Sequence, residues 1–500
     1  MRTAVVWLSV GVSLSALVLA GAGQSDLDWN SVRAAVPVAW SQGLHPYVPP
    51  PPDGDGPLWA NIYPPLGFVL QLPVAAAAVG LSLTPLSTIR LLQAWSALWL
   101  LLPLLLPAAL PPHRKSLRVA WPAAGTALTV VAAATVAAQP LEDVTLLVHV
   151  DAFALGLSLL ATWCVTRGQL ISAAVLTAAA LLTKQTCIGL LPALAAVIAC
   201  TRGGRPALMF AALAAGVSTA GYAVSAGLFG QAFWAAVFAV PARHPLRGDV
   251  VALVREAAAV AGVPAAGMLL ALLLIGGRSG ASWRAAGPYL AVAVALLPTG
   301  LLGFMKFGGG ANNLAWPLVH LLAAVVAAMA APGAVMAAPE SAMVAPGPAR
   351  SPSEPVGSRR WPSVALLAAA LAVLTLHLPR LAGAPSLRRP SQHDVAFHLL
   401  RDQPGLYVFP WLPLSHLLAE RRIVHHGWGV LDRMAAGGDR WTVTSVLPEP
   451  QPLFLCFFRP PDDNDGVWRL HRADYPHRID HPALPGWFVF TRASGSTAPP

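Results

Sequence analysis

The chain is a succession of apolar runs about 18 to 25 residues long, and nothing else in the sequence restricts its fold so strongly. At about 1.5 Å rise per residue each run matches a hydrocarbon core of about 30 Å. The runs centre on residues 5–20, 63–83, 88–110, 118–137, 145–165, 169–183, 186–200, 206–229, 257–276, 286–304, 315–336 and 362–378. With 56% hydrophobic and only 11% charged residues, 500 residues of this kind do not fold as a soluble domain. The net charge of +10 does not indicate nucleic acid, because the basic residues are scattered between apolar runs and form no face with aromatics. Cys164, Cys187, Cys200 and Cys456 show no CxxC spacing, so neither a disulfide framework nor a structural zinc site is indicated.

Lys and Arg are retained on the cytoplasmic side of short loops. If the 63–83 run lies on the outer interface or dips into it without spanning, Arg2, Arg114, Lys115, Arg118, Arg167, Arg202, Arg205, Arg278, Arg284, Arg350, Arg359 and Arg360 fall inside. Arg33, Arg90, Lys184, Arg243, Arg247, Arg255 and Lys306 fall outside. A spanning 63–83 run would invert every later loop. The sequence therefore predicts about eleven transmembrane helices, with the N-terminus inside. The first run is an uncleaved helix or a signal peptide; both deliver residue 25 outward. Every Asp and Glu before residue 336 then lies at or beyond an outer helix end: Asp26, Asp28, Asp53, Asp55, Glu142, Asp143, Asp151, Asp249 and Glu256.

Residues 337–361, rich in Pro, Ala and Ser, read as a cytoplasmic linker ahead of a last membrane helix at 362–378. From 385 to 495 the composition becomes polar, and GLYVFPWL, WTVTSVL, PLFLCFF and GWFVFTR read as short strands of a small extracytoplasmic α/β domain. The fold class is thus an all-α polytopic membrane domain with an outer helical loop, plus this soluble domain.

In SDLDWNSVRAAVPVAWSQGLHPY, Trp29, Val32, Val36 and Trp40 recur at helical spacing, which predicts an amphipathic helix on the outer interface. Asp26 and Asp28 stand at its N-terminus, where capping explains one of them. Lys184 interrupts a nearly continuous apolar stretch, which makes it a functional candidate, whereas Arg90 and Lys306 either meet a lipid phosphate or snorkel to the headgroups. His149 and Asp151 either hydrogen-bond each other or bind a divalent cation; two ligands are few for a metal. Asn312 and Asn313 either bind hydroxyls or satisfy a turn.

These features occur in a telling order: an acidic residue opening an outer loop, GLHPY, NIYPPLGF, VHVDAFALGLSLLATW, LLTKQTCIGLLP and GGGANNLAWPLVHLL. The order resembles the GT-C superfamily of polyprenyl-phosphate-sugar-dependent glycosyltransferases, near the bacterial branch of protein-mannosyltransferase-like and aminoarabinose-transferase-like enzymes. The resemblance covers roughly residues 1 to 336. It implies a multi-pass plasma-membrane enzyme moving a sugar from a polyprenyl-phosphate donor to a hydroxyl of a glycan, lipid or protein in the cell envelope. Asp28 would be the general base, since its spacing to Gly43 suits the family better than that of Asp26. Lys184, Arg90 and Lys306 would bind the donor phosphate, and Tyr63, His149, Asp151, Gln185, Asn312 and Asn313 would line the substrate site. No cofactor is implied beyond an open place for a divalent metal. A membrane transporter or lipid flippase is the alternative, but transporters place ionisable residues near the midplane and carry internal repeats. Here the charges gather at one face, and no repeat joins the halves.

Overall fold

A computed structural model describes residues 2–47, 61–110, 117–276, 279–331, 361–383, 389–424, 427–435, 447, 451–462 and 465–492. The linker expected at 337–361 and the strand expected at WTVTSVL fall almost wholly outside them.

The membrane part begins with α1 (Arg2–Gln24), α2 (Asp28–Ser41), α3 (Leu66–Val69), α4 (Leu72–Gly80) and α5 (Pro85–Ala109). It continues with α6 (Leu117–Ala137), α7 (Gln139–Leu146), α8 (Val150–Arg167), α9 (Leu170–Thr183), α10 (Leu190–Arg202) and α11 (Gly204–Trp234). α12 (Val240–Arg243), α13 (Val250–Gly276), α14 (Gly280–Met305), α15 (Ala315–Ala330) and α16 (Trp361–Ala382) complete it. Nine helices among the described residues are long and apolar enough to cross a membrane, or ten if α6 and α7, bent by 107°, are one span. The shortfall from eleven lies in α9, whose 14 residues are apolar but short. The 63–83 run forms only α3 and α4, of four and nine residues, neither of which can span.

α15 is the central pillar, buried along nearly its whole length, so its Ala- and Val-rich surface meets protein on every side. Around it α11, α13 and α16 turn Leu and Val side chains outward, as expected where the solvent is lipid. Close approach is built in at Gly156 of α8: a Cβ there would stand 2.0 Å from the Trp99 carbonyl oxygen of α5. At the opposite end of α8, Gly168 closes the helix with φ +79.

The C-terminal domain, the one expected from sequence to be soluble, contains α17 (Gln392–Asp402), β1 (Tyr407–Val408), α18 (Pro413–Glu420), α19 (Gly427–Ala435), β2 (Phe454–Phe457), α20 (Gly466–His471), β3 (His477–Ile479) and β4 (Phe488–Thr491). The strand order is β1-β2-β4-β3; β1 runs parallel to β2 and the other pairs are antiparallel. Period-two alternation sends Tyr407, Cys456 and Val489 to a core with Ala396 and Leu400 of α17, and Val408, Leu455, Phe457 and Phe490 to a core with Val430 and Val467. Both faces of the sheet are therefore covered.

α2 lies at the expected end of the bundle, but it is not an open interfacial helix. Asn30 to Ala39 are all buried, because α18 packs on the side left free by the membrane helices. Leu414 and Leu417 join Ala34, Ala35 and Val38 in one apolar cluster, and the Leu414 amide donates to Ser31 Oγ at 3.1 Å. Asp394 adds a second anchor, accepting from the Leu86 amide at 3.0 Å and from Thr84 Oγ1 at 3.2 Å.

Candidate active site

Under the soluble domain a cavity of about 860 Å³ opens where the ends of many helices converge, a size suited to a small-molecule ligand. α2 supplies Trp29 and Arg33, the chain before α3 supplies Ile62 and Tyr63, and α7 supplies Asp143. His149, Lys184, Gln185, Arg247, Lys306, Asn312 and Asn313 come from helix ends and turns, and the soluble domain closes the wall with Trp411, Arg459 and Asp465.

The floor is a buried polar network. His149, the cap of α8, accepts from the Asp151 amide, and its Nδ1 lies 3.1 Å from Asp151 Oδ2. Asn312 Nδ2 donates to the same oxygen at 2.7 Å. The Lys184 ammonium forms an ion pair with Asp151 Oδ1, with both side chains almost wholly buried. His149 and Asp151 thus interact with each other, and Lys184 supplies a counter-charge to Asp151. No group of three His, Cys, Asp or Glu with metal-site geometry occurs among the described residues.

Above that floor stands an aromatic and cationic wall. The Arg33 guanidinium lies 4.2 Å from the Trp29 ring centroid and 4.7 Å from that of Tyr63, and its Nη2 donates to Tyr63 Oη at 3.1 Å. Tyr47, the end of GLHPY, donates its hydroxyl to the Tyr63 carbonyl at 2.6 Å, which ties that turn to YPPL. Gln185 Nε2 reaches the carbonyls of Ile62 and Val237 at 3.2 Å each, so it braces the backbone. Lys306 donates to the Pro241 carbonyl at 3.0 Å, and Arg247 Nε to that of Phe304 at 3.2 Å. Both cations are part of a hairpin-like contact in which the Arg247 amide bonds to the Met305 carbonyl and the Phe307 amide to that of Pro245.

The two aspartates at the head of α2 diverge. Asp28 lies beside the cavity without lining it, and Arg459 Nη2 donates to its Oδ2 at 3.2 Å. Burial pushes the Asp28 carboxyl above the usual range, and the Arg459 charge draws it partly back. Arg459 also lies 4.6 Å over the Trp411 ring, and Trp411 Nε1 donates to Asp465 Oδ2 at 2.6 Å. Asp26 faces the soluble domain: Ser391 Oγ donates to its Oδ1 at 2.6 Å, and Gln392 Nε2 to its carbonyl. Arg90 is exposed, near Ser25 Oγ at 3.4 Å, and does not line the cavity.

Lys184, Lys306, Tyr63, His149, Gln185, Asn312 and Asn313 are thus brought to one cavity, with Asp151 beneath it and Asp28 at its edge; Asp26 and Arg90 stand apart. Sequence reasoning missed Arg33, Asp143, Arg247 and Arg459 as site residues. Arg33, a cation inside the Val- and Ala-rich α2, and Arg247, a cation shortly before an apolar helix, carried a signal. Arg459 carried none, since 431 residues separate it from Asp28.

No known protein family and no curated protein matches the chain. Among solved structures it is similar to ArnT from Cupriavidus metallidurans, crystallised in the apo state, with a TM-score of 0.50 and 14% identity over 100% of this chain and 99% of that one. At that identity the likeness is one of fold: the chain has an ArnT-like architecture.

Proposed function

We propose that this chain is a membrane glycosyltransferase that moves a sugar from a polyprenyl-phosphate donor to an acceptor hydroxyl on the extracytoplasmic face. The observation that carries the proposal is the meeting, at one end of an ArnT-like bundle, of a cation-lined cavity with the half-buried carboxylate of Asp28. Asp28 takes the proton of the acceptor hydroxyl as its oxygen attacks the anomeric carbon. The anomeric C–O bond to phosphate breaks, the glycosidic bond forms, and polyprenyl phosphate leaves with the bonding electrons. Arg33, Arg247 and Lys306 face the charge that builds on the departing phosphate. Lys184 contributes less, because Asp151 already balances its charge. The Asp28–Arg459 contact has to loosen as the acceptor arrives, since a paired carboxylate is a weak base.

The reading is tested with membranes containing the protein, a labelled set of polyprenyl-phosphate sugars and the cell-envelope fraction as acceptor. Transfer by the wild type, reduced about 10²- to 10⁴-fold in Asp28→Asn, is the expected result. Equal transfer by both proteins removes Asp28 as base, and absence of transfer from every donor removes the enzyme reading.

A further inference from the structure

Of the carboxylates in and around the cavity, Asp143 alone among the described residues has no cation or hydrogen-bond donor holding it. Asp151 is engaged by Lys184, His149 and Asn312, Asp465 by Trp411 and the Trp468 amide, and Asp28 by Arg459; Asp462 is engaged as well. Glu142, one residue earlier, turns away and accepts from Gln24 Nε2 at 2.7 Å. Asp143 instead lines the cavity, on a helix that packs against the turn carrying Asn312 and Asn313. A half-buried carboxylate without a protein partner is costly to keep unless a ligand supplies the missing hydrogen bonds.

The surroundings restrict what that ligand can be. Lys184, Arg247 and Arg459 at the cavity are paired with Asp151, Glu256 and Asp28, while Arg33 and Lys306 border it with no carboxylate partner among the described residues, so an ammonium group beside Asp143 would meet one unengaged carboxylate and two cations that no carboxylate offsets. An anion would suit the cations but would be repelled at Asp143 itself. A neutral group rich in hydroxyls satisfies both, since each hydroxyl can donate to Asp143 while the amides of Asn312 and Asn313 stand close by.

We propose that Asp143 binds the hydroxyls of the transferred glycosyl group, and that this group is a neutral sugar carrying no amino substituent. The proposal rests on the glycosyltransferase reading above. It extends that reading by naming the donor class and the side chain that recognises it.

The test is lipid binding by the full-length protein in nanodiscs. The probes are bare polyprenyl phosphate, polyprenyl phosphates carrying mannose, galactose or arabinose, and one carrying 4-amino-4-deoxyarabinose. The wild type is expected to bind at least one neutral glycolipid about tenfold or more tighter than bare polyprenyl phosphate, the worth of hydrogen bonds to a charged group. In Asp143→Leu that advantage disappears while bare polyprenyl phosphate binds no more weakly than to the wild type, since a charge repelling the phosphate has been removed; Asp143→Asn, which keeps one acceptor oxygen, retains part of the advantage. Tightest binding of the amino-sugar lipid, or an equal loss for bare and glycosylated lipids in Asp143→Leu, overturns the proposal. A wild type that binds no polyprenyl phosphate at all, bare or glycosylated, instead overturns the enzyme reading beneath it.

Discussion

Arg459 of the soluble domain holds Asp28 of α2 at 3.2 Å across 431 residues of chain, so the carboxylate proposed as base takes its electrostatic setting from the far end of the polypeptide. Burial raises the Asp28 carboxyl and Arg459 lowers it. A base acts only when ionised, so the acid limb of kcat/KM follows that carboxyl. Arg459→Gln removes the lowering influence alone and is expected to move the limb to higher pH, while Arg459→Lys leaves it nearer the wild type. An unmoved limb in Arg459→Gln would detach the base from this ion pair.

Asp26 is expected to matter for assembly and not for transfer. Its carboxylate is held by Ser391, and a hydrogen bond to a charged group contributes about 1.5–3 kcal/mol. Ser391→Ala and Asp26→Asn should each lower the temperature at which the soluble domain becomes open to protease, with transfer near wild type. Loss of transfer in Asp26→Asn, with Asp28→Asn active, would exchange the roles of the two aspartates.

Lys184→Ala leaves Asp151 charged and buried without its counter-ion. Removing one partner of such a pair costs about 3–5 kcal/mol. A marked fall in thermal stability in detergent is therefore expected, larger than any loss of donor affinity. Lys184→Met combined with Asp151→Leu should recover much of that stability; no recovery would show that His149 and Asn312 need the carboxylate as much as Lys184 does.

Gly156→Ala sets a methyl against the Trp99 carbonyl, where a Cβ would come to 2.0 Å. α5 and α8 must separate, and overpacking of this kind costs about 1–3 kcal/mol. Calorimetry of the purified protein checks it; an unchanged transition would mean that the two helices slide apart freely.

The membrane architecture was legible because the bilayer forces each span to be long, apolar and self-satisfied in hydrogen bonds. The same rule made the 63–83 run conspicuous, since YPPL and Pro73 cannot belong to a regular span. The gathering of Lys184, Lys306, Tyr63 and Asn312 could be anticipated from their common side. Pairing could not. That Lys184 is matched by Asp151, that Asp26 points away from the cavity and that Arg90 lies outside it are facts of side-chain direction, which neither hydropathy nor charge counts record. α9 was counted as a span on composition, although 14 residues fall short of the usual length. Asp143 was visible only as one more outer acid, because what distinguishes it is the lack of a partner in the folded chain.

The docking of the last domain onto α2 also bears on the order of events during synthesis. Trp411, Arg459 and Asp465 form one wall of the cavity, and α18 covers α2. A chain still emerging from the ribosome, with its helices inserted as far as α15, has the floor and the cations of the site but neither the wall nor the guanidinium that holds Asp28. That wall is in place only once the segment carrying Trp411, Arg459 and Asp465 has folded back on α2, so the cavity closes late in the assembly of the chain, in one step.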